Sequence, residues 1–152
     1  MEISNPTPAS KDMIREFKPH RKQENFLQIP DSIFEGLYGG AAGGGKSDLL
    51  LLLPLLRGFT SNPNFRGIFL RRTYPELESE IIPRSQKWFP LAGGRYKDQK
   101  RRWEFPEGGI FYFGHAEHEE DIRKYDTAQY NYTAWDELTS FLNFQYSYLS
   151  YS

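Results

Sequence analysis

The 152 residues of this chain include no cysteine. That absence excludes a disulfide framework, a thiolate zinc site and a catalytic thiol. A strong excess of one charge is also missing, because 19 Lys and Arg residues face 20 Asp and Glu residues. The near-balance excludes a wholly basic nucleic-acid coat, although it leaves room for a local basic stripe.

Long hydrophobic runs are missing too. The longest run, Leu49 to Leu56, is interrupted by Pro54 and is far shorter than the roughly 20 residues that a membrane-spanning helix needs. The N-terminal segment is polar and has no apolar stretch of the kind found in signal peptides. Aromatic residues make up 16% of the chain, which argues against disorder. We therefore predict a soluble, intracellular domain over residues 20–152, preceded by a leader over residues 1–19.

Strand-like and helix-like segments alternate along the chain. The alternation predicts an α/β fold with a parallel core into which an antiparallel hairpin is inserted. The predicted helices span 21–28, 47–57, 76–89, 118–125 and 141–149, and the predicted strands span 33–38, 66–72, 95–97, 101–105, 110–113 and 130–135.

A glycine-rich segment joins the strand predicted at 33–38 to the helix predicted at 47–57. It matches the phosphate-binding pattern G-x-x-x-x-G-K-[ST], in which the glycines let backbone N–H groups converge on an anion at a helix N-terminus. The lysine supplies a charge to the phosphates, and the hydroxyl is a ligand for Mg²⁺. The alternative is a flexible linker that contains Gly-Lys-Ser by chance. The matching residues are Gly40, Ala41, Ala42, Gly43, Gly44, Gly45, Lys46 and Ser47.

Two adjacent carboxylates follow the strand predicted at 130–135. At the carboxyl edge of a parallel sheet, Asp136 would lie beside the glycine-rich loop and hold Mg²⁺, directly or through water. Glu137 would orient and deprotonate an attacking water. The alternative is an exposed Asp-Glu pair that caps the last predicted helix.

With these segments in order, the sequence resembles the ATPase domain of the large terminase subunit, the DNA-packaging motor of tailed bacteriophages. The glycine-rich loop is shared by a whole superfamily, so the flanking segments carry the resemblance. Pro19 to Phe26 is similar to the family's adenine-side glutamine motif. The segment after the family's second strand is similar to Phe69 to Leu77 and Ser85 to Phe89. The hairpin and Walker B region are similar to Gly108 to His115 and Asp136 to Phe141.

The resemblance implies a P-loop NTPase fold of the ASCE/RecA-like type, with a mostly parallel sheet flanked by helices. It implies hydrolysis of ATP with Mg²⁺, coupled to packaging double-stranded viral DNA into a procapsid. Gln23 would contact adenine, and Arg71 or Arg72 would reach a phosphate, in the same subunit or across a ring interface. The alternative for both arginines is a solvated strand end.

The implied partners are the terminase small subunit, the portal of the procapsid and further copies of the chain in a ring. The implied location is the cytoplasm of the bacterial host, outside the mature virion. Such subunits also carry a coupling motif and a nuclease domain, so we expect this domain to be incomplete at its C-terminal end. The alternatives are a non-catalytic remnant that binds nucleotide or DNA without turnover, and another P-loop motor such as a helicase.

Two weaker patterns remain. Five basic residues at 95–102 surround one acid, Asp98, and would follow a phosphate backbone or simply form a solvated hairpin face. His115 and His118 lie near Glu119 but lack a third ligand at a convincing spacing, so we do not expect a metal site there.

Overall fold

The structure is a computed structural model, and it describes residues 46–116, 121 and 130–136. The predicted leader, the strand predicted at 33–38 and the helices predicted at 21–28 and 141–149 lie outside these residues. Most of the helix predicted at 118–125 lies outside them as well.

The first described helix, α1, spans Lys46–Leu56 and confirms the helix predicted at 47–57. Most of its leucines are buried, and it contains Pro54, which cannot donate a hydrogen bond to the carbonyl of Leu50. That carbonyl instead accepts a hydrogen bond of 2.5 Å from the hydroxyl of Tyr132. The chain leaves α1 at Gly58, whose φ of 74° is the left-handed conformation that glycine adopts at low cost.

The second helix, α2, contains three turn types in succession. It begins with an α-helical turn, Tyr74–Glu76, passes through a π-helical turn, Leu77–Ile81, and ends in the α-helix Ile82–Trp88. The helix predicted at 76–89 is therefore confirmed, although it begins two residues earlier. Neither of the helices described is long and apolar enough to cross a membrane.

Five strands form a single sheet in the order β2-β3-β4-β1-β5. Strand β1 lies parallel to β4 on one side and to β5 on the other, and the pairs β2–β3 and β3–β4 are antiparallel. The strand bounds are β1 Arg66–Arg71, β2 Arg95–Lys97, β3 Arg102–Glu104, β4 Ile110–His115 and β5 Tyr132–Trp135.

This topology corrects the predicted fold class. The sheet is mixed, with only two parallel pairs, and the described residues form only two longer helices besides the short 3-10 helices Phe59–Ser61 and Phe89–Ala92. The prediction of a mostly parallel P-loop NTPase sheet flanked by helices is therefore wrong. The physical reason is the short hairpin of β2 and β3. It hydrogen-bonds along the free edge of β4 and fills the positions where further parallel strands would lie. The turn predicted at 106–109 is confirmed, with Gly108 at a φ of 104°.

Both helices pack on one face of the sheet. The core there joins the leucines of α1 to an aromatic cluster in which the Phe89 ring lies 5.2 Å from the rings of both Trp103 and Phe111. On the other face, Ile68 and Leu70 are fully buried. Strand β1 is therefore buried on both sides, as a continuous apolar run at the centre of a sheet requires. This strand ends at Arg71, where the candidate site begins.

Candidate functional site

Three chain segments meet at one edge of the sheet. Strands β1 and β5 run parallel, so their carboxyl ends, Arg71 and Asp136, lie side by side. The backbone N–H of Asp136 donates to the carbonyl of Leu70 at 2.9 Å, which extends the ladder one residue past β5 and fixes the position of the carboxylate. The first turn of α1 brings Lys46 and Ser47 to the same edge. This is the edge where parallel strands place ligand-binding groups.

The side chains of Ser47 and Asp136 are in direct contact. The Ser47 hydroxyl lies 2.9 Å from each carboxylate oxygen of Asp136, although the two residues are 89 positions apart in the sequence. Tyr132 on β5 reinforces this approach, because its hydroxyl binds the carbonyl of Leu50 on α1. The strand that carries the carboxylate is thus joined to the helix that carries the hydroxyl.

The donor set suits Mg²⁺. The ion takes oxygen ligands at about 2.0–2.1 Å in octahedral geometry, so neighbouring ligands are about 2.9 Å apart. The Ser47 and Asp136 oxygens, which are 2.9 Å apart in a hydrogen bond, are close enough to bind one ion together. No group of three or more His, Cys, Asp or Glu side chains among residues 46–116, 121 and 130–136 could hold a metal by itself. Mg²⁺ in phosphate sites takes only one or two protein ligands and completes its shell with water and phosphate oxygens.

A buried arginine faces the same carboxylate. The Arg71 guanidinium lies 3.3 Å from Asp136, and these side chains are only 8% and 3% exposed. Arg71 also forms ion pairs with Glu76 at 3.3 Å and with Glu80 at 3.1 Å, both on α2 and both half-exposed. One cation therefore faces three carboxylates, and these four side chains together carry a formal charge of −2. With Lys46 at the same edge the formal charge is −1, which a bound cation would offset.

The described residues include only part of the predicted site. Lys46, Ser47, Asp136 and Arg71 are brought to one edge, and Arg72 follows as an exposed residue at the end of β1. The predicted adenine contact Gln23, the loop residues Gly40, Ala41, Ala42, Gly43, Gly44 and Gly45, and the predicted base Glu137 lie outside the described residues.

The turn between β2 and β3 lies beside this edge. The guanidinium carbon of Arg101 lies 3.6 Å from the ring centre of Tyr74, the first residue of α2. His115, at the end of β4, has its ring 6.1 Å from that of Tyr74 and a nitrogen 3.7 Å from Asp121. His118 and Glu119 lie outside the described residues.

Sequence reasoning missed Glu76, Glu80 and Tyr132. The two glutamates are four residues apart, a spacing that predicts a shared helix face but does not identify the arginine they contact. Tyr132 could have been connected to Pro54, because a proline inside a helix leaves a carbonyl that needs another donor. Nothing in the sequence shows which donor supplies it.

Comparison of the chain with protein-family models, with curated proteins and with solved structures gave no match. The resemblance to terminase subunits therefore rests on the sequence segments alone, and it stays a prediction.

Proposed function

We propose that this chain binds Mg·ATP at the edge formed by α1, β1 and β5 and hydrolyses it to ADP and phosphate. The observation that carries the proposal is the contact between the Ser47 hydroxyl and the Asp136 carboxylate at 2.9 Å. A hydroxyl next to a Gly-Lys-Ser sequence and a carboxylate after a buried strand are two oxygen ligands of a nucleotide-bound Mg²⁺.

The cationic groups at this edge would act on the phosphates. Lys46 begins α1, and the N–H groups and positive dipole end of the first helical turn favour an anion at this position. Mg²⁺ would neutralise charge on the phosphate oxygens when bound. Ser47 and Asp136 would hold it, and Glu137 is the candidate base that orients the attacking water.

A pair of substitutions tests binding at this site. Titration of a fluorescent ATP analogue in the presence of Mg²⁺ should show Lys46→Ala binding at least tenfold more weakly than the unmodified chain, because a charged hydrogen bond contributes about 1.5–3 kcal/mol. Lys87→Ala removes a lysine from the exposed surface of α2 and should leave the affinity unchanged. Equal affinities for all three proteins would rule out this site.

A phosphate-release assay then separates an enzyme from a binding protein. Steady turnover that Glu137→Gln abolishes would support hydrolysis. Tight binding of ATP without release of phosphate would instead support the non-catalytic alternative.

We further propose that ATP hydrolysis by this chain drives the movement of double-stranded DNA, as the resemblance to terminase subunits implies. The support within the described residues is the basic β2–β3 hairpin, which presents exposed cationic side chains and has two carboxylates, the exposed Asp98 and Glu104, which pairs with Arg102. Its largest aromatic residue, Trp103, is buried and cannot stack on bases. Such a surface suits the phosphate backbone of a duplex rather than unpaired bases. The exposed cationic residues are Arg95, Lys97, Lys100 and Arg101.

Fluorescence anisotropy on a short duplex, measured over a series of salt concentrations, tests this surface. Replacing both Lys97 and Lys100 by Gln should reduce the slope of log affinity against log salt by about 2, since each phosphate contact contributes about 0.9. The single variant Lys87→Gln is the control. An unchanged slope would mean that the hairpin is only a solvated face, and strand separation on a forked duplex would favour a helicase.

A further inference from the structure

We infer that Arg71 is a positioning residue, which orients the carboxylate of Asp136 for Mg²⁺ and is itself held in place by Glu76 and Glu80 on α2. The inference rests on the proposed Mg·ATP site. It differs from the role that the family resemblance implies, because a guanidinium that holds a metal ligand is not directed at a phosphate, whether in the same subunit or in a neighbouring one.

The first observation is that Arg71 is buried. Its side chain is 8% exposed, and its guanidinium contacts a carboxylate that is 3% exposed. A buried charge is tolerated only when it is paired and hydrogen-bonded. The register of the sheet fixes the pairing, since Arg71 follows Leu70 on β1 and the N–H of Asp136 binds the carbonyl of that leucine.

The second observation is that Asp136 is contacted by both Ser47 and Arg71. The Ser47 hydroxyl faces both carboxylate oxygens, whereas Arg71 contacts Oδ2. A carboxylate offers about four lone-pair directions, so it can bind a metal ion and keep the arginine. If the Ser47 hydroxyl turns to the ion, the contact with Arg71 still holds the carboxylate. Groups that orient a metal ligand in this way typically change metal affinity by 10–100-fold when they are removed.

The third observation is the geometry of α2. Glu76 closes the first α-helical turn, and Glu80 lies in the π-helical turn Leu77–Ile81. Glu80 accepts a hydrogen bond from Nη1 at 3.1 Å, whereas Glu76 lies at the ion-pair distance of 3.3 Å from Nε without a hydrogen bond between them. π-Helical turns are rare and are frequent at functional sites. Here the turn places two half-exposed acids on one buried cation, and Glu80 contacts the same nitrogen, Nη1, that contacts Asp136.

The test measures the Mg²⁺ concentration that gives half-maximal binding of a fluorescent ATP analogue, together with the affinity for that analogue in EDTA. Arg71→Gln should raise the half-saturating Mg²⁺ concentration by about tenfold or more. Arg71→Lys keeps the charge but loses the planar guanidinium, and it should raise that concentration by a smaller factor. Both should leave the metal-free affinity unchanged. Arg84→Gln, an exposed arginine on α2 paired with Asp48, is the control and should behave like the unmodified chain.

If substitutions of Arg71 prevent folding, a substitution of Glu80 at the surface provides a second test of the role of Arg71. Glu80→Gln alters a side chain that is half-exposed, and it should raise the half-saturating Mg²⁺ concentration by about threefold, less than the loss of the arginine itself. Glu78→Gln makes the same charge change in the same turn on an exposed residue that takes no part in the ion pairs of Arg71. It should have no effect. Equal values for the two glutamate variants, or folded Arg71 variants with unchanged Mg²⁺ dependence, would overturn the inference.

Failure of the inference is distinguishable from failure of the proposed function. If Asp136→Asn and Lys46→Ala leave ATP binding unchanged, the site itself is absent and both proposals fall. If those two variants weaken binding while the Arg71 and Glu80 variants do not shift the Mg²⁺ dependence, the site stands and only the role of Arg71 is wrong.

Discussion

The hydrogen bond between Tyr132 and the carbonyl of Leu50 replaces a helical hydrogen bond that Pro54 cannot make. In a regular α-helix the N–H of residue 54 would donate to this carbonyl, but proline has no N–H. The hydroxyl of Tyr132 lies 2.5 Å from the same oxygen. Burial raises the pKa of Tyr132 well above its usual value, so the hydroxyl stays protonated and donates. The same bond ties the strand of Asp136 to the helix of Ser47.

Tyr132→Phe removes the donor and keeps the ring. In the unmodified background the Leu50 carbonyl would lose the donor that replaces its helical partner, and we expect a loss of about 1–3 kcal/mol in the free energy of unfolding. In a Pro54→Ala background the new N–H of residue 54 supplies the bond, so the same substitution should cost about 0.5 kcal/mol. The coupling between the two positions should therefore be about 0.5–2.5 kcal/mol.

Urea denaturation followed by tryptophan fluorescence measures the four proteins of this cycle. Effects of the missing hydroxyl on packing occur in both backgrounds and cancel in the coupling energy. If Tyr132→Phe costs the same in both backgrounds, to within about 0.3–0.5 kcal/mol, the hydroxyl does not compensate for the proline and the reasoning is refuted.

Three further predictions concern stability. Ser85→Ala should lower the free energy of unfolding by about 1–3 kcal/mol in a thermal or urea melt, because the buried Trp103 indole N–H donates to this hydroxyl at 2.9 Å. The control is Ser79→Ala on the exposed face of α2. A loss below about 0.5 kcal/mol for Ser85→Ala would contradict the prediction. Tyr96→Phe should be neutral or stabilising, since its hydroxyl is buried without a hydrogen-bond partner among the described residues. Burial raises the pKa of Tyr96 to about 12, whereas a tyrosine in the unfolded chain titrates near its usual pKa of about 10. The free energy of unfolding should therefore fall as the pH rises from about 10 to 12, and Tyr96→Phe should remove this fall in melts across that range. Gly109→Ala should destabilise the fold by about 1–3 kcal/mol, because a Cβ there would lie 2.9 Å from the backbone oxygen of Thr60; an unchanged melting temperature would contradict this.

Local patterns predicted most of the described elements. The glycine-rich segment followed by leucines predicted α1, and the apolar centre of β1 predicted a strand buried on both faces, as it is. The turn at 106–109 was predictable because Gly108 permits its positive φ. These features depend on residues near one another in the sequence.

The sheet topology was not predictable in the same way. Strands β2 and β3 are each three residues long, and their sequences do not specify which neighbour they join. Their pairing with the edge of β4 depends on packing of the aromatic cluster around Phe89, which involves residues far apart in the chain. The predicted mostly parallel sheet was wrong for that reason.

The same distinction applies to the candidate site, where one contact was predicted from the sequence and another was not. The pairing of Ser47 with Asp136 was expected from two separated motifs, and the structure places their oxygens in contact. The burial of Arg71 and its pairing with two glutamates of α2 were not expected, because a basic pair after a strand has the same sequence signature whether it is exposed or enclosed.

The most direct test of the proposed site is calorimetric titration of ATP into the unmodified chain and into Ser47→Ala, each in Mg²⁺ and in EDTA. If the hydroxyl of Ser47 and the carboxylate of Asp136 hold the ion, Mg²⁺ will tighten binding to the unmodified chain by tenfold or more and will tighten binding to the variant far less. Equal gains from Mg²⁺ in both proteins, or no heat of binding in either, would contradict the central claim.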